Sequence, residues 1–182
     1  MVSKALRRLG VASREWEYNR GPWGDIIVWR NIQCLYNDAK RGVCRGGMFA
    51  PPYWTFSNAL FWTGRLRSQI EPWGKSRGLT EAQRQKVKDA NRVIRAVLKL
   101  VKLFHSLGLP WIIENPDTSL LWHLPFLRDI VRQPNVVAVR SDHCRFRRAW
   151  RKRTRFVCGN IEADDLHNGG RRPFQLQGQS PS

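Results

Sequence analysis

From Thr80 to Leu107, apolar residues recur at Val87, Ala90, Ile94, Val97, Leu98, Val101, Phe104 and Leu107, the spacing of one face of a long α-helix. Thr80 followed by Gln83 is a capping box at its start, and Gly108 with Pro110 stops it. The opposite face carries Arg84, Lys88, Arg92, Arg95, Lys99 and Lys102, which reads first as a solvated face and second as a phosphate track. Just after the helix, Trp111 to Glu114 (WIIE) is a short apolar strand. Ahead of it, residues 41–47 read as a turn leading into a short strand that ends in MFAPPYW, where Pro51 and Pro52 end regular structure. Strand, helix and strand in that order predict a parallel crossover unit and hence an α/β fold.

The rest of the chain fits around this unit. Val2, Ala5, Leu6 and Leu9 predict an opening helix closed by Gly10, and residues 11–18 are short enough for a strand. Asp25 caps an expected helix from Ile26 to about Lys40. Leu120 to Arg132 forms another helix interrupted by Pro125, and Asn135 to Arg140 and Arg153 to Cys158 are β-branched strand candidates. A length of 182 residues suits one domain, expected over residues 1–167, with a flexible Gly, Gln and Ser-rich tail over 168–182.

The balance of 32 Lys+Arg against 14 Asp+Glu leaves a net charge of +18, so the natural partner is a polyanion, nucleic acid before an anionic membrane. No apolar run approaches the roughly 20 residues of a membrane span, and residues 1–10 lack the apolar centre of a signal peptide. The expectation is an intracellular protein, nuclear in a eukaryote and otherwise cytoplasmic. Cys34, Cys44, Cys144 and Cys158 form no CxxC pair, and grouping His143-Cys144 with Cys158 and His167 matches no common zinc spacing. His105 and His123 read as ordinary surface or core residues.

In an open α/β sheet, ligands gather at the carboxyl ends of strands. Three unusual segments stand at such ends: APPYWTFSNA at residues 50–59, ENP at 114–116 with TSLLW at 118–122, and a basic stretch at 142–160. Their order resembles the DNA cytosine-5 methyltransferases, in particular the divergent branch of mobile elements and viruses, over about residues 2–160. In that family a Pro-Cys-x-x-x-Ser loop follows the fourth strand, a Glu-Asn pair ends the next, and an Arg-x-Arg segment follows. Pro52, Tyr53 and Ser57 fall on the first, Glu114 and Asn115 on the second, and Arg151, Arg153 and Arg155 on the third.

The resemblance implies a Rossmann-like, S-adenosylmethionine-dependent methyltransferase fold whose target is a base extruded from DNA, in preference to RNA. It makes Glu114 the acid facing the ring nitrogen and Asn115 the residue holding the loop. Ser57, Arg151, Arg153 and Arg155 fall to nucleic acid, where a guanidinium offers bidentate donors. It puts Glu17, Asp25 and Pro52 toward the cofactor, with Glu15 as second candidate to Glu17. Val2 to Arg8 then corresponds to the family's first helix, and the fold is expected to be incomplete, with the first strand and Gly-rich loop missing.

Tyr53 stands where the family has its nucleophilic Cys, and a phenol of pKa about 10 is a poor substitute for a thiol of about 8.5. Cys44 lies upstream of the strand end and reads as a buried small residue. The implied protein is therefore methyltransferase-like but degenerate in activity. Its alternatives are a non-catalytic nucleic-acid-binding remnant and an amino-methyltransferase, whose Pro-Pro-aromatic loop APPYW matches except at Ala50.

Overall fold

The computed structural model describes residues 2–16, 21–22, 24–57, 64–142 and 153–161. The tail expected over 168–182, together with Glu17, His143, Cys144, Arg151 and His167, lies outside the described residues. Helix α1 (Val2–Arg8) ends as expected at Gly10, whose φ of 75° permits the closing bonds from the Gly10 N–H to the Arg7 carbonyl and from the Val11 N–H to the Leu6 carbonyl. Residues 11–16 form no strand, contrary to expectation: nothing in the sheet pairs with them. Helix α2 (Trp29–Lys40) starts later than predicted. Asp25 caps the turn before it, accepting from the Ile27 N–H at 3.0 Å, and the Asn31 amide seals that turn by donating to the carbonyls of Pro22 and Asp25.

Strand β1 (Gly47–Phe49) leads through a long loop to α3 (Glu81–Ser106) and back to β2 (Trp111–Pro116). Both halves of the Thr80–Gln83 capping box form, at 3.2 and 2.9 Å, satisfying two donors that a helix start leaves open. β1 and β2 pair in parallel, with Phe49 opposite Ile113. The segment after β2 splits at Pro125 into a 3₁₀ turn (Leu120–His123) and α4 (Pro125–Ile130), because proline supplies no N–H to continue a helix but suits its first turn. β3 (Val136–Asp142) and β4 (Arg153–Gly159) follow.

The sheet order is β1-β2-β4-β3, with β4 antiparallel to both neighbours, so that β2 and β3 run the same way with β4 between them. The architecture is mixed α/β. One face of the sheet, through Trp111, Ile113 and Val157, packs on the apolar face of α3 and on Leu121, Leu124 and Leu127. Fully burying residues of this size contributes about 1.5–3 kcal/mol each, which makes this layer the main source of stability.

Candidate functional site

Because α3 returns the chain to the start of β2, the carboxyl ends of β1 and β2 lie at one rim. β4, running the other way, brings its first residues to that same rim, and β3 brings its last. The loop after β1, the ENP segment and the start of β4 therefore meet. The Asn115 side chain, 2% exposed, donates to the Pro51 carbonyl at 2.9 Å. The Leu120 N–H donates to the Phe56 carbonyl at 2.9 Å, tying the 3₁₀ turn to the same loop. Within the loop the Phe56 N–H closes a turn on the Tyr53 carbonyl at 2.9 Å. This turn leaves Tyr53 50% and Trp54 44% exposed, while Pro52 and Ser57 are half-buried.

A guanidinium fixes that loop from beneath. Arg67 is fully buried, with its guanidinium carbon 3.7 Å from the centre of the Phe56 ring. It donates to the Thr55 hydroxyl at 3.0 and 3.2 Å, to the Pro72 carbonyl and Asn91 Oδ1 at 2.9 Å each, and to the Val87 carbonyl at 3.5 Å. Burial lowers its pKa to about 10, which leaves it charged at neutral pH. The loop carrying Tyr53 and Trp54 is thus clamped to α3 by a residue that no motif reading singled out. Most of its partners stand far away in sequence.

Side chains alternate between sheet faces along a strand. Asn115 pairs in register with Arg155, and Arg155 with Arg140, so these three share the face that holds the core. Glu114 pairs with Phe156 and Phe156 with Val139, on the other face. The structure thus brings Asn115, the loop after β1 and Arg155 together and sets Glu114 on the opposite side of the sheet, half-buried.

Asp117 organises the arginines. Its Oδ1 accepts from Arg155 at 2.7 Å and from Arg140 at 3.0 Å, and its N–H donates to the Arg153 carbonyl. Burial opposes its ionisation, but the two guanidinium hydrogen bonds and their charge outweigh this and hold the carboxyl below its usual 3.8. Arg155 also lies over the Trp122 ring at 5.2 Å, and Arg153 pairs with Asp142 at 3.3 Å. Burial, followed by the charges of Arg128 and Arg155, lowers the pKa of the nearby His123 and favours its neutral form. Asp117 and Arg140 were not singled out from sequence. The signal was present in one directly following ENP and in the other near the end of a strand candidate.

No thiol reaches the rim among the described residues: Cys34 lies in α2 and donates to the Asp38 carboxylate at 3.7 Å, and the Asp38 carbonyl in turn accepts from the Cys44 N–H ahead of β1. Cys44 is half-buried ahead of β1, at the end away from the loop, and donates to the Gly46 carbonyl at 3.4 Å. Cys158 is buried and its pKa is pushed up to about 11 by desolvation. The residues expected to hold S-adenosylmethionine do not assemble among the described ones: Asp25 serves its own turn, Glu15 pairs with Arg7 at 3.9 Å, and only Pro52 stands at the rim. What the rim offers is two adjacent exposed aromatic rings and a braced set of guanidinium groups, a set suited to stacking on a base and positioning its phosphates. Comparison of the chain with protein-family models, curated proteins and solved structures finds no match.

Proposed function

We propose that this chain is a DNA cytosine-5 methyltransferase-like domain of Rossmann-like fold that receives an unstacked base of DNA at the sheet rim without covalent attack on it. The observation that carries the reading is the Asn115–Pro51 bond, which joins the loop in the nucleophile's position to the Glu-Asn segment the resemblance pairs with it. Two features support it further. In a doubly wound sheet the fourth and fifth strands are parallel neighbours, the relation of β1 to β2. Arg153 and Arg155 begin β4 at the same rim, where the resemblance assigns them to nucleic acid.

Tyr53 and Trp54 then act as the stacking surface, and Asn115 keeps their loop in place. The absence of covalent attack follows from chemistry: a phenol replaces the thiol, and the described thiols lie elsewhere.

The test pairs two measurements. Purified protein incubated with labelled S-adenosylmethionine and duplex DNA should transfer no methyl group. The double substitution Tyr53→Ala with Trp54→Ala should weaken binding of a short single-stranded oligonucleotide by about 10-fold or more, since stacking contributes roughly 1–3 kcal/mol per base. Robust transfer to carbon 5 of cytosine would overturn the non-covalent reading, transfer to an exocyclic nitrogen would favour the amino-methyltransferase, and unaltered oligonucleotide affinity would overturn the stacking site.

A further inference from the structure

Charge at the rim is largely neutralised, whereas charge on α3 is not. Arg140 and Arg155 share Asp117, and Arg153 has Asp142. On α3, Arg84, Lys88, Arg92, Arg95, Lys99 and Lys102 follow one another at intervals of three and four residues, and all six are solvent-exposed. Among the described residues only Glu81, at the helix start, reaches this row, contacting Arg84 at 3.0 Å and Lys88 at 4.0 Å. No described carboxylate lies within ion-pair distance of Arg92, Arg95, Lys99 or Lys102. Two of these four heads are held by rings: Arg95 over Trp73 at 5.2 Å and Lys102 over Phe126 at 4.8 Å. Such contacts limit side-chain motion while leaving the charge available.

We infer that the solvent face of α3 is a binding surface for the phosphate backbone of nucleic acid, separate from the rim and independent of what the rim does to a base. At 1.5 Å per residue the row from Arg84 to Lys102 is about 27 Å long, the length of roughly eight base pairs at 3.4 Å per step. A helix face in plain contact with water usually alternates signs, because like charges three and four residues apart oppose the helix. A polyanion laid along the row removes that repulsion and releases its own counterions. An anionic membrane is the weaker match. A helix that lies in a membrane surface needs its apolar face free, and that of α3 is buried, with Ile94, Val97 and Val101 at most 4% exposed.

The row contacts no base edge, so its contribution is blind to sequence and dependent on salt. The experiment measures the affinity of the full chain for a 20-base-pair DNA duplex between 50 and 200 mM NaCl, by fluorescence anisotropy. The comparison variant is Arg92→Gln with Lys99→Gln, and helix content is checked by circular dichroism. Each lost phosphate contact lowers the slope of log affinity against log salt by about 0.9, so the pair lowers it by about 1.8 and shrinks the affinity change over that range about 12-fold. The charge-conserving pair Arg92→Lys with Lys99→Arg should keep the original slope, which separates loss of charge from disturbance of the helix. An unchanged slope in the folded Gln variant overturns the proposal. So does absence of duplex binding by the unmodified chain at 50 mM, or loss in the Gln variant of binding to phosphatidylserine vesicles but not to DNA.

Discussion

Arg67 shows how much can rest on one side chain. All five of its N–H groups are engaged, and its partners Thr55, Pro72, Val87 and Asn91 come from the loop after β1, the segment before α3 and α3 itself. Lysine in its place offers three donors from a single point and cannot span a fork of acceptors. Leaving buried acceptors unmet costs about 1–3 kcal/mol each. Arg67→Lys should therefore lower the unfolding free energy by roughly 2–4 kcal/mol, read from a urea midpoint that falls at constant slope. A loss below about 0.5 kcal/mol, the floor for a typical hydrogen bond, would show that the fork adds nothing a lysine cannot supply. Nothing in the sequence around residue 67 announces this, since an isolated arginine in a loop carries no pattern and its meaning comes entirely from partners brought in by folding.

Among the elements, the pairing of β2 with β4 depends on a missing side chain. Gly159 faces Trp111 across the ladder, and a Cβ there would run into the buried indole. Glycine inside a strand often marks such an approach. Gly159→Ala should destabilise the protein by about 1–3 kcal/mol, the range for overpacking a filled core, with the loss visible in thermal unfolding followed by tryptophan fluorescence. A neutral effect would mean that the indole has room to shift. Elements with strong local signals were legible in advance. Helix α3 matched closely because its caps and apolar stripe are local signals, and the short apolar runs on either side of it matched because the crossover sets them side by side as ladder partners. The strand expected at residues 11–18 was not formed over 11–16, since a strand exists only if another offers it a ladder, and that is a property of the whole sheet. Likewise, the motifs placed Asn115 and Arg155 at the rim, but which face each side chain takes follows from register. That is why the separation of Glu114 from Arg155 could not be read from spacing.

Across the whole molecule, a net charge of +18 works against compactness. Like-charged neighbours along α3, such as Lys88 beside Arg92 and Lys99 beside Lys102, each oppose the helix by roughly 0.2–0.5 kcal/mol, or about 1–2.5 kcal/mol over the row. Salt at 0.1 M screens exposed charges beyond about 10 Å. Raising NaCl from 10 to 200 mM weakens these close pairs in part and should then raise the melting temperature by up to about 10 °C, at about 2–4 °C per kcal/mol for a chain of this size. A flat response in calorimetry would mean that the charges are balanced elsewhere.

The position of β4 has a consequence for assembly in the cell. It is the last strand in chain order among the described residues, yet it sits inside the sheet, hydrogen-bonded to β2 on one side and β3 on the other. Until Arg153 to Gly159 leave the ribosome, β2 and β3 have no bridge between them, and each presents a bare edge. At about 5–20 residues per second, synthesis from Pro116 to Arg153 leaves β2 waiting for a few seconds. During that interval the nascent chain is open to wrong strand pairing and to chaperones, and β1, which pairs on the opposite edge of β2, does not cover the edge that waits for β4.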